Sequence, residues 1–285
     1  MNNIGQDTAT SRSCIACGGR RGASLFKGLV RCEGCEMVYY PHPCNTDETS
    51  ALYNERYFTG AEYAGYLSDR HAHAVNFRRR VRQLLPWVGE GKRLFEVGCA
   101  YGLFLKEASN YWQVRGCDIA REPCNYAKRE LGLDVVCGDL LTMNLSAGEV
   151  DVFCLWDTIE HLNALPEYLS SMAATLQPGG IIALTTGDVG SVLARLQGPR
   201  WRQIHPPSHL WYFSRATMLR TLQRFGFDVV WQRHVSMSRS INQIIYSLTS
   251  LHTGPSALYK LSMASGIGKF RLRLNTPALN FQVQQ

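Results

Sequence analysis

No apolar run of the 285-residue chain approaches the ~18 residues a membrane-spanning helix needs, so no span is expected. There is no internal repeat and no low-complexity tract, which sets aside solenoids, propellers and long disordered tails. Residues 1–13 are polar and carry no leader-like apolar segment. A reducing, cytoplasmic location is therefore the expectation. Charge of one sign is not abundant either: 30 Lys and Arg against 23 Asp and Glu leave a net charge of +7. Arg78, Arg79, Arg80 and Arg82 form one local basic cluster, and Arg195, Arg200 and Arg202 another. Both are read as solvated helix faces ahead of nucleic-acid footprints. What remains is room for one α/β domain of about 160–200 residues plus appendages.

The most informative stretch is 94–102, Leu-Phe-Glu-Val-Gly-Cys-Ala-Tyr-Gly. It reads as a buried strand running into a glycine-bearing turn, with an amphipathic helix after it. Backbone that bends sharply and approaches a ligand closely needs residues without a Cβ, here Gly98 and Gly102. In open α/β sheets, ligands bind at that strand-to-helix crevice. Downstream, strand Gln113–Cys117 ends on Asp118, where a carboxylate can take hydrogen bonds from ribose hydroxyls. Val135-Val136-Cys137-Gly138-Asp139 is a third strand ending in a carboxylate. Asp151–Trp156 is a fourth, followed by Asp157-Thr158-Ile159-Glu160-His161-Leu162. The turn Leu176-Gln177-Pro178-Gly179-Gly180 then precedes a fifth strand, Ile181–Thr186. Between the strands, apolar residues recur at helical spacing: Ala74, Phe77, Val81, Leu84 and Leu85, then Leu165, Leu169, Met172 and Leu176. Ser214 is placed to cap a helix over 215–225. Strand–helix alternation with continuous apolar strands predicts a parallel sheet covered on both faces.

In this order and spacing, the E-x-G-x-x-x-G turn, the two strand-end aspartates, the Trp-Asp-x-x-Glu-His-Leu run and the Leu-x-Pro-Gly-Gly turn resemble the motifs of class I S-adenosylmethionine-dependent methyltransferases. The resemblance covers about residues 75–232. It implies an α/β, Rossmann-like, seven-stranded methyltransferase sheet with S-adenosyl-L-methionine as cofactor. It implies cofactor contacts from Glu96, Gly98, Cys99, Ala100, Gly102, Asp118, Ile119, Asp139, Leu140, Trp156 and Asp157, with Asp139 beside the adenine.

At the amino end, Cys14-x-x-Cys17 and Cys32-x-x-Cys35 stand fourteen residues apart. Such paired knuckles can present four thiolates tetrahedrally to zinc, leaving no open position, so a Zn2+ here is structural. Disulfides and unliganded thiols are the competing readings. The segment is too short to bury a useful core, and metal would supply its folding energy. The other six cysteines sit mostly in apolar contexts that suit buried, inert thiols. Residues 1–40 are thus read as a zinc ribbon and 41–73 as a tyrosine-rich linker or lid. Cys32-x-x-Cys35-x-x-Val38-Tyr39-Tyr40-Pro41, with Tyr57-Phe58 and Tyr66, resembles bacterial methyltransferases that carry an N-terminal ribbon. Many of those modify small molecules, sugars or surface-glycan precursors. By this resemblance Tyr57 and Tyr66 line the methionine end of the cofactor.

The domain over 74–285 is expected to end in strands Phe227–Gln232 and Ala278–Val283, with a helical insertion at about 233–275 between them. Ionisable groups for the methyl acceptor fall in two places: Asp157, Glu160 and His161, and the long loop Gly198–Phe213. His209 and His161 are the candidate bases, with His205 third. The favoured activity is O- or C-methylation of a small molecule, with a sugar or glycan-linked intermediate as the favoured acceptor. One alternative is RNA methylation with the ribbon gripping nucleic acid, although the ribbon's basic residues are only Arg20, Arg21, Lys27 and Arg31. Another is a non-catalytic module that keeps the cofactor pocket.

Overall fold

A computed structural model describes residues 7–9, 11–42, 66–67, 69–242, 244–245, 256–265 and 270–284. Seven strands form the main sheet: β5 (Arg93–Val97), β6 (Gln113–Asp118), β7 (Asp134–Cys137), β8 (Val150–Trp156), β9 (Leu176–Gly187), β11 (Asp228–Ser240) and β12 (Arg271–Gln284). Their spatial order is β11-β12-β9-β8-β5-β6-β7. The five strands from β9 to β7 run parallel, and β12 and β11 add an antiparallel hairpin at one edge.

Alternate residues of the central strands feed two cores, as period-two geometry requires. Leu94, Val152, Cys154 and Ala183 meet Phe77, Val81 and Leu84 of α1 (Arg70–Val88) and Phe104, Leu105 and Ala108 of α2 (Leu103–Ala108). Cys124 and Ala127 of α3 (Arg121–Leu131) join that core. Phe95, Val97, Phe153, Leu155, Ile182 and Leu184 face the other way, toward Leu165, Leu169 and Met172 of α4 (Leu165–Thr175). Met218 and Leu222 of α6 (Arg215–Arg224) close that side; α5 (Val192–Gln197) precedes it. Ser214 caps α6 through a capping box with Thr217, as its position in the sequence predicts.

Three expectations need correction. The strand β9 starts earlier than expected and takes in the Leu176–Gly180 turn as an irregularity: Leu176 pairs with Val150, the register shifts with Gly179 at φ +75°, and pairing resumes at Val152 with Ile181. The closing strands are also longer than predicted, so 233–240 and 271–275 of the expected helical insertion belong to the hairpin. Helix occurs between them as α7 (Ala257–Ser265). The extension is hidden because its partner groups are polar. Asn76 Nδ2 donates to the Ser238 carbonyl at 2.9 Å, and its Oδ1 accepts from Ser238 N–H at 2.8 Å. Arg79 donates to the Ser236 carbonyl at 3.0 Å. The basic cluster on α1 is therefore not a uniformly solvated face, since Arg80 is 7% exposed.

The amino-terminal strands β1 (Asp7–Ala9), β2 (Arg21–Ser24), β3 (Val30–Cys32) and β4 (Val38–Tyr39) form a second, antiparallel sheet. Its fifth strand, β10 (Trp211–Tyr212), comes from the long loop after β9. Trp211 pairs with Tyr39 and stacks on its ring with centroids 5.9 Å apart. Trp211 Nε1 donates to the Leu162 carbonyl at 2.8 Å, and Arg12 lies over the indole and bonds Asn163. Arg224 at the end of α6 donates to the carbonyls of Cys14 and Ile15. The short segment thus shares the core of the main domain: Ile15, Val30, Met37 and Tyr39 pack in one cluster with Phe153, Trp211 and Phe213.

Candidate active site

The carboxyl ends of β5, β6, β7 and β8 converge on the glycine turn. Gly98 has φ +74°, and a Cβ there would lie 2.6 Å from Cγ2 of Thr158. Only glycine fits both the left-handed backbone and that approach. Gly102 has φ +71°, and a Cβ would meet Leu133 Cδ1 at 2.7 Å. Ala100 and Asp157 are non-glycine residues held at φ +44° and +54°. Such conformations cost about 1–3 kcal/mol and persist where surrounding structure over-determines them.

Asp118 is buried at the end of β6, and its carboxylate accepts from Ala100 N–H at 2.8 Å and Ala120 N–H at 2.9 Å. Burial raises its pKa, and those two N–H groups oppose the rise. Two accepted bonds leave a carboxylate with lone pairs for ligand hydroxyls. Glu96 is 3% exposed, and its Oε2 has no hydrogen-bond partner among the described residues. Burial lifts Glu96 well above the carboxylate range, with Arg80 opposing and Asp118 adding to the rise. Trp156 Nε1 is likewise buried without a partner among the described residues. An unpaired buried acceptor and donor in one crevice suit a polar, cationic ligand.

Asp139 caps the short helical turn after β7 by accepting from Leu141 N–H at 2.8 Å; burial, with the nearby Asp139 adding to it, raises the pKa of the Tyr168 hydroxyl. Ile119 is exposed on the rim, whereas Leu140 and the Cys99 side chain are core, so their access to a ligand is through backbone. Tyr66 stacks between His73 (centroids 4.2 Å) and Tyr101 of the glycine turn (5.6 Å). Tyr57 lies outside the described residues.

Beyond β8 the side chains come from distant segments. Arg80 of α1 stacks over the Trp156 ring at 4.5 Å, with its guanidinium 3.5 Å from Asp157 Oδ2. Thr185 Oγ1 donates to Asp157 Oδ1 at 3.0 Å. Half-buried Arg239 of β11 is pushed down to about 10 by burial and by Arg202, and remains a cation at neutral pH. Glu160 is buried, and burial with the nearby Asp157 raises it to about 8. The ring centroid of His209 lies 4.4 Å from that of His161 and 3.7 Å from that of His205. Burial pushes His161 and His205 down to about 4 and His209 well below its usual range, so all three are neutral near pH 7.

The structure therefore brings all three predicted histidines together with Glu160, using β10 to hold the loop that carries His205 and His209. Sequence reasoning missed Arg80, Arg239 and Tyr168. Arg80 alone had a signal, as a cationic residue on the apolar side of α1, four residues from both Asn76 and Leu84.

In the amino-terminal sheet, Cys14 and Cys35 sulfurs are 3.4 Å apart and those of Cys17 and Cys32 3.5 Å apart. All four lie within 4.8 Å of one another. A tetrahedron of Zn–S bonds of about 2.3 Å sets sulfurs about 3.8 Å apart, so this constellation fits the metal. Of the other cysteines, Cys99, Cys117, Cys124 and Cys154 are buried, Cys137 is exposed, and Cys44 is outside the described residues.

Residues 66–232 match the family described as a methyltransferase domain. The malonyl-[acyl-carrier protein] O-methyltransferase of Serratia marcescens is 26% identical over 157 residues, 52% of this chain and 59% of that enzyme. The chain thus spans less than two thirds of that relative's length. Solved structures of S-adenosylmethionine-dependent methyltransferases from Thermotoga maritima and Archaeoglobus fulgidus share the fold, with TM-scores of 0.56 and 0.54 at 16% and 18% identity. These cover 83% and 78% of this chain, and 99% and 100% of those chains. A geranyl diphosphate C-methyltransferase from Streptomyces coelicolor, solved with S-adenosyl-L-homocysteine, has a TM-score of 0.50 at 16% identity over 72% of this chain and 75% of its own. With its strand order, glycine turn and strand-end carboxylates, the chain belongs to the S-adenosylmethionine-dependent methyltransferases.

Proposed function

We propose that the chain methylates an oxygen or carbon nucleophile of a small, negatively charged acceptor, with a phosphate-linked sugar as the favoured class. Glu96, Gly98, Ala100, Gly102, Asp118 and Asp139 hold the cofactor: the glycines by close backbone approach, Asp118 through ribose hydroxyls, Asp139 beside the base. When bound, S-adenosylmethionine supplies an electrophilic methyl group. The chain's own work is to align the acceptor, exclude water and take its proton. The neutral cluster of His161, His205 and His209 beside Glu160 carries this reading, because imidazoles without a proton can accept one. Asp157, whose negative charge acts on His161, favours the imidazolium that results. Arg80 and Arg239 supply the positive charge that an anionic acceptor would meet on the same side of the crevice. We also propose that Cys14, Cys17, Cys32 and Cys35 hold one structural zinc that fixes β4, and through it the β10 loop.

The test is calorimetric titration with S-adenosyl-L-homocysteine, metal content on the same sample, and a screen of nucleotide- and lipid-phosphate-linked sugars, with S-adenosyl-L-methionine present, for release of S-adenosyl-L-homocysteine. Micromolar binding, one zinc in the four-cysteine site and turnover on an anionic sugar are expected. Binding without turnover on any acceptor would leave the non-catalytic module as the better account. Tight, salt-dependent binding of structured RNA would favour the nucleic-acid alternative.

A further inference from the structure

Glu160, His161 and His209 each offer one ligand atom, and these three atoms lie within 4.8 Å of one another. We propose that they form a second metal site, a two-histidine, one-carboxylate set for a first-row divalent cation such as Zn2+, Mn2+ or Co2+. Three atoms so spaced leave a point within about 2.8 Å of each, against metal–ligand bonds of about 2.0–2.2 Å. Inward shifts of well under 1 Å per side chain would complete the set.

Three observations bear on it independently of spacing. Glu160 is 3% exposed, yet among the described residues its Oε2 has no hydrogen-bond partner, so a buried carboxylate oxygen is left open to a ligand. His161 Nδ1 lies 2.7 Å from the Ser208 carbonyl. Donation to that carbonyl puts the lone pair on Nε2. Imidazoles whose second nitrogen is tied to a carbonyl are the form in which histidines ligate metals, with tautomer and ring orientation fixed. The donor set also selects the ion: two imidazoles and one carboxylate suit Zn2+, Mn2+, Fe2+ or Co2+ better than the all-oxygen preference of Ca2+ or Mg2+.

Three protein ligands leave coordination positions open, as in catalytic rather than structural sites. A Lewis acid here would lower the pKa of an acceptor hydroxyl beside the methyl donor, and His205, 3.7 Å ring to ring from His209 and outside the ligand set, would be the histidine that takes the proton. This catalytic use rests on the methyltransferase reading; the binding itself does not. The four-cysteine site and this one are chemically distinct, with four thiolates in one and none in the other.

The experiment is titration of the full-length, zinc-loaded protein with Co2+, followed by visible absorption and metal analysis. The expected result is one further equivalent, with ligand-field bands and no sulfur-to-cobalt charge transfer. Glu160→Gln should weaken that equivalent by more than about 100-fold, and His161→Asn with His209→Asn should abolish it. S-adenosyl-L-homocysteine titration of each variant reports on the fold and on the cofactor reading separately. Should wild-type protein take up no second equivalent at millimolar Co2+, or should the bands persist in the double variant with cofactor affinity intact, the site is not there. Loss of cofactor binding with the Co2+ bands retained would overturn the enzymatic reading alone.

Discussion

The two sides of the crevice are put together differently. On the proposed cofactor side, Glu96 to Gly102, Asp118 and Asp139 each sit at or just past the end of their own strand, and neighbouring backbone fixes them: Asp118 by Ala100 and Ala120, Asp139 by Leu141. On the proposed acceptor side, Arg80, Asp157 to His161, His205 to His209 and Arg239 come from four separated segments, held by side-chain contacts and by a strand lent to another sheet. The first arrangement depends on local backbone conformation; the second depends on how distant elements dock. Perturbations should therefore separate cofactor affinity from turnover.

The largest effect should come at the turn itself. Gly98→Val combines a left-handed φ with a Cβ 2.6 Å from Thr158, and should cost about 3 kcal/mol or more. Cofactor affinity should fall beyond about 100-fold in calorimetry, with a lowered melting temperature. Near-normal affinity would mean that the turn can re-form around a side chain. Next comes the opposite side. Removing the ribbon metal, or replacing Cys14 and Cys32 by serine, should release β4 and with it β10. Turnover should drop by about 100-fold or more, since catalytic groups then lose their alignment, while S-adenosyl-L-homocysteine affinity stays within about threefold. Equal losses in both quantities would erase the distinction between the two sides.

Two side-chain replacements sharpen it further. Asp118→Ala removes a charged acceptor from the cofactor side and should weaken cofactor binding by about 1.5–3 kcal/mol, with turnover at saturating cofactor little changed. Arg80→Met keeps the stem over Trp156 but removes the cation beside Asp157. It should raise the acceptor KM by about tenfold and leave cofactor affinity within about twofold. An Arg80→Met enzyme with unaltered acceptor KM would take away the argument for an anionic acceptor.

The same contrast governs what could be read from the chain. The cofactor side was legible because a glycine turn and a strand-end carboxylate are properties of a few consecutive residues. That its strands run parallel followed from strand–helix alternation. The histidines were legible as ionisable groups in the right places, but not as a cluster, because their meeting depends on Trp211 pairing with Tyr39 across 172 positions. Arg80 looked like one of several surface arginines, since nothing near it in sequence marks Asp157 as its partner. The extension of β11 escaped notice for a related reason. Its residues Ser236, Ser238 and Ser240 are polar, and α1 meets its backbone at Ser236 and Ser238 with Arg79 and Asn76, so no apolar alternation announces a strand.

The smallest predicted effect tests a place remote from both sides. Arg93 at the start of β5 and Asp151 at the start of β8 are joined by two side-chain bonds of 2.9 and 3.2 Å, with a third at 2.8 Å from the Arg93 backbone N–H. The Arg93 side chain holds Asp151 below the usual carboxylate range. A carboxylate with a depressed folded pKa contributes stability that is present above the unfolded value, about 3.9, and lost as pH falls through the folded one. Asp151→Asn should therefore lower the melting temperature slightly at neutral pH, and the difference from wild type should shrink steadily below about pH 4. Cofactor affinity and turnover should not change, because the pair sits at the amino ends of the strands while both halves of the crevice sit at the carboxyl ends. A change in either would mean that the sheet transmits strain along its strands, and that the two sides are less separable than their construction implies.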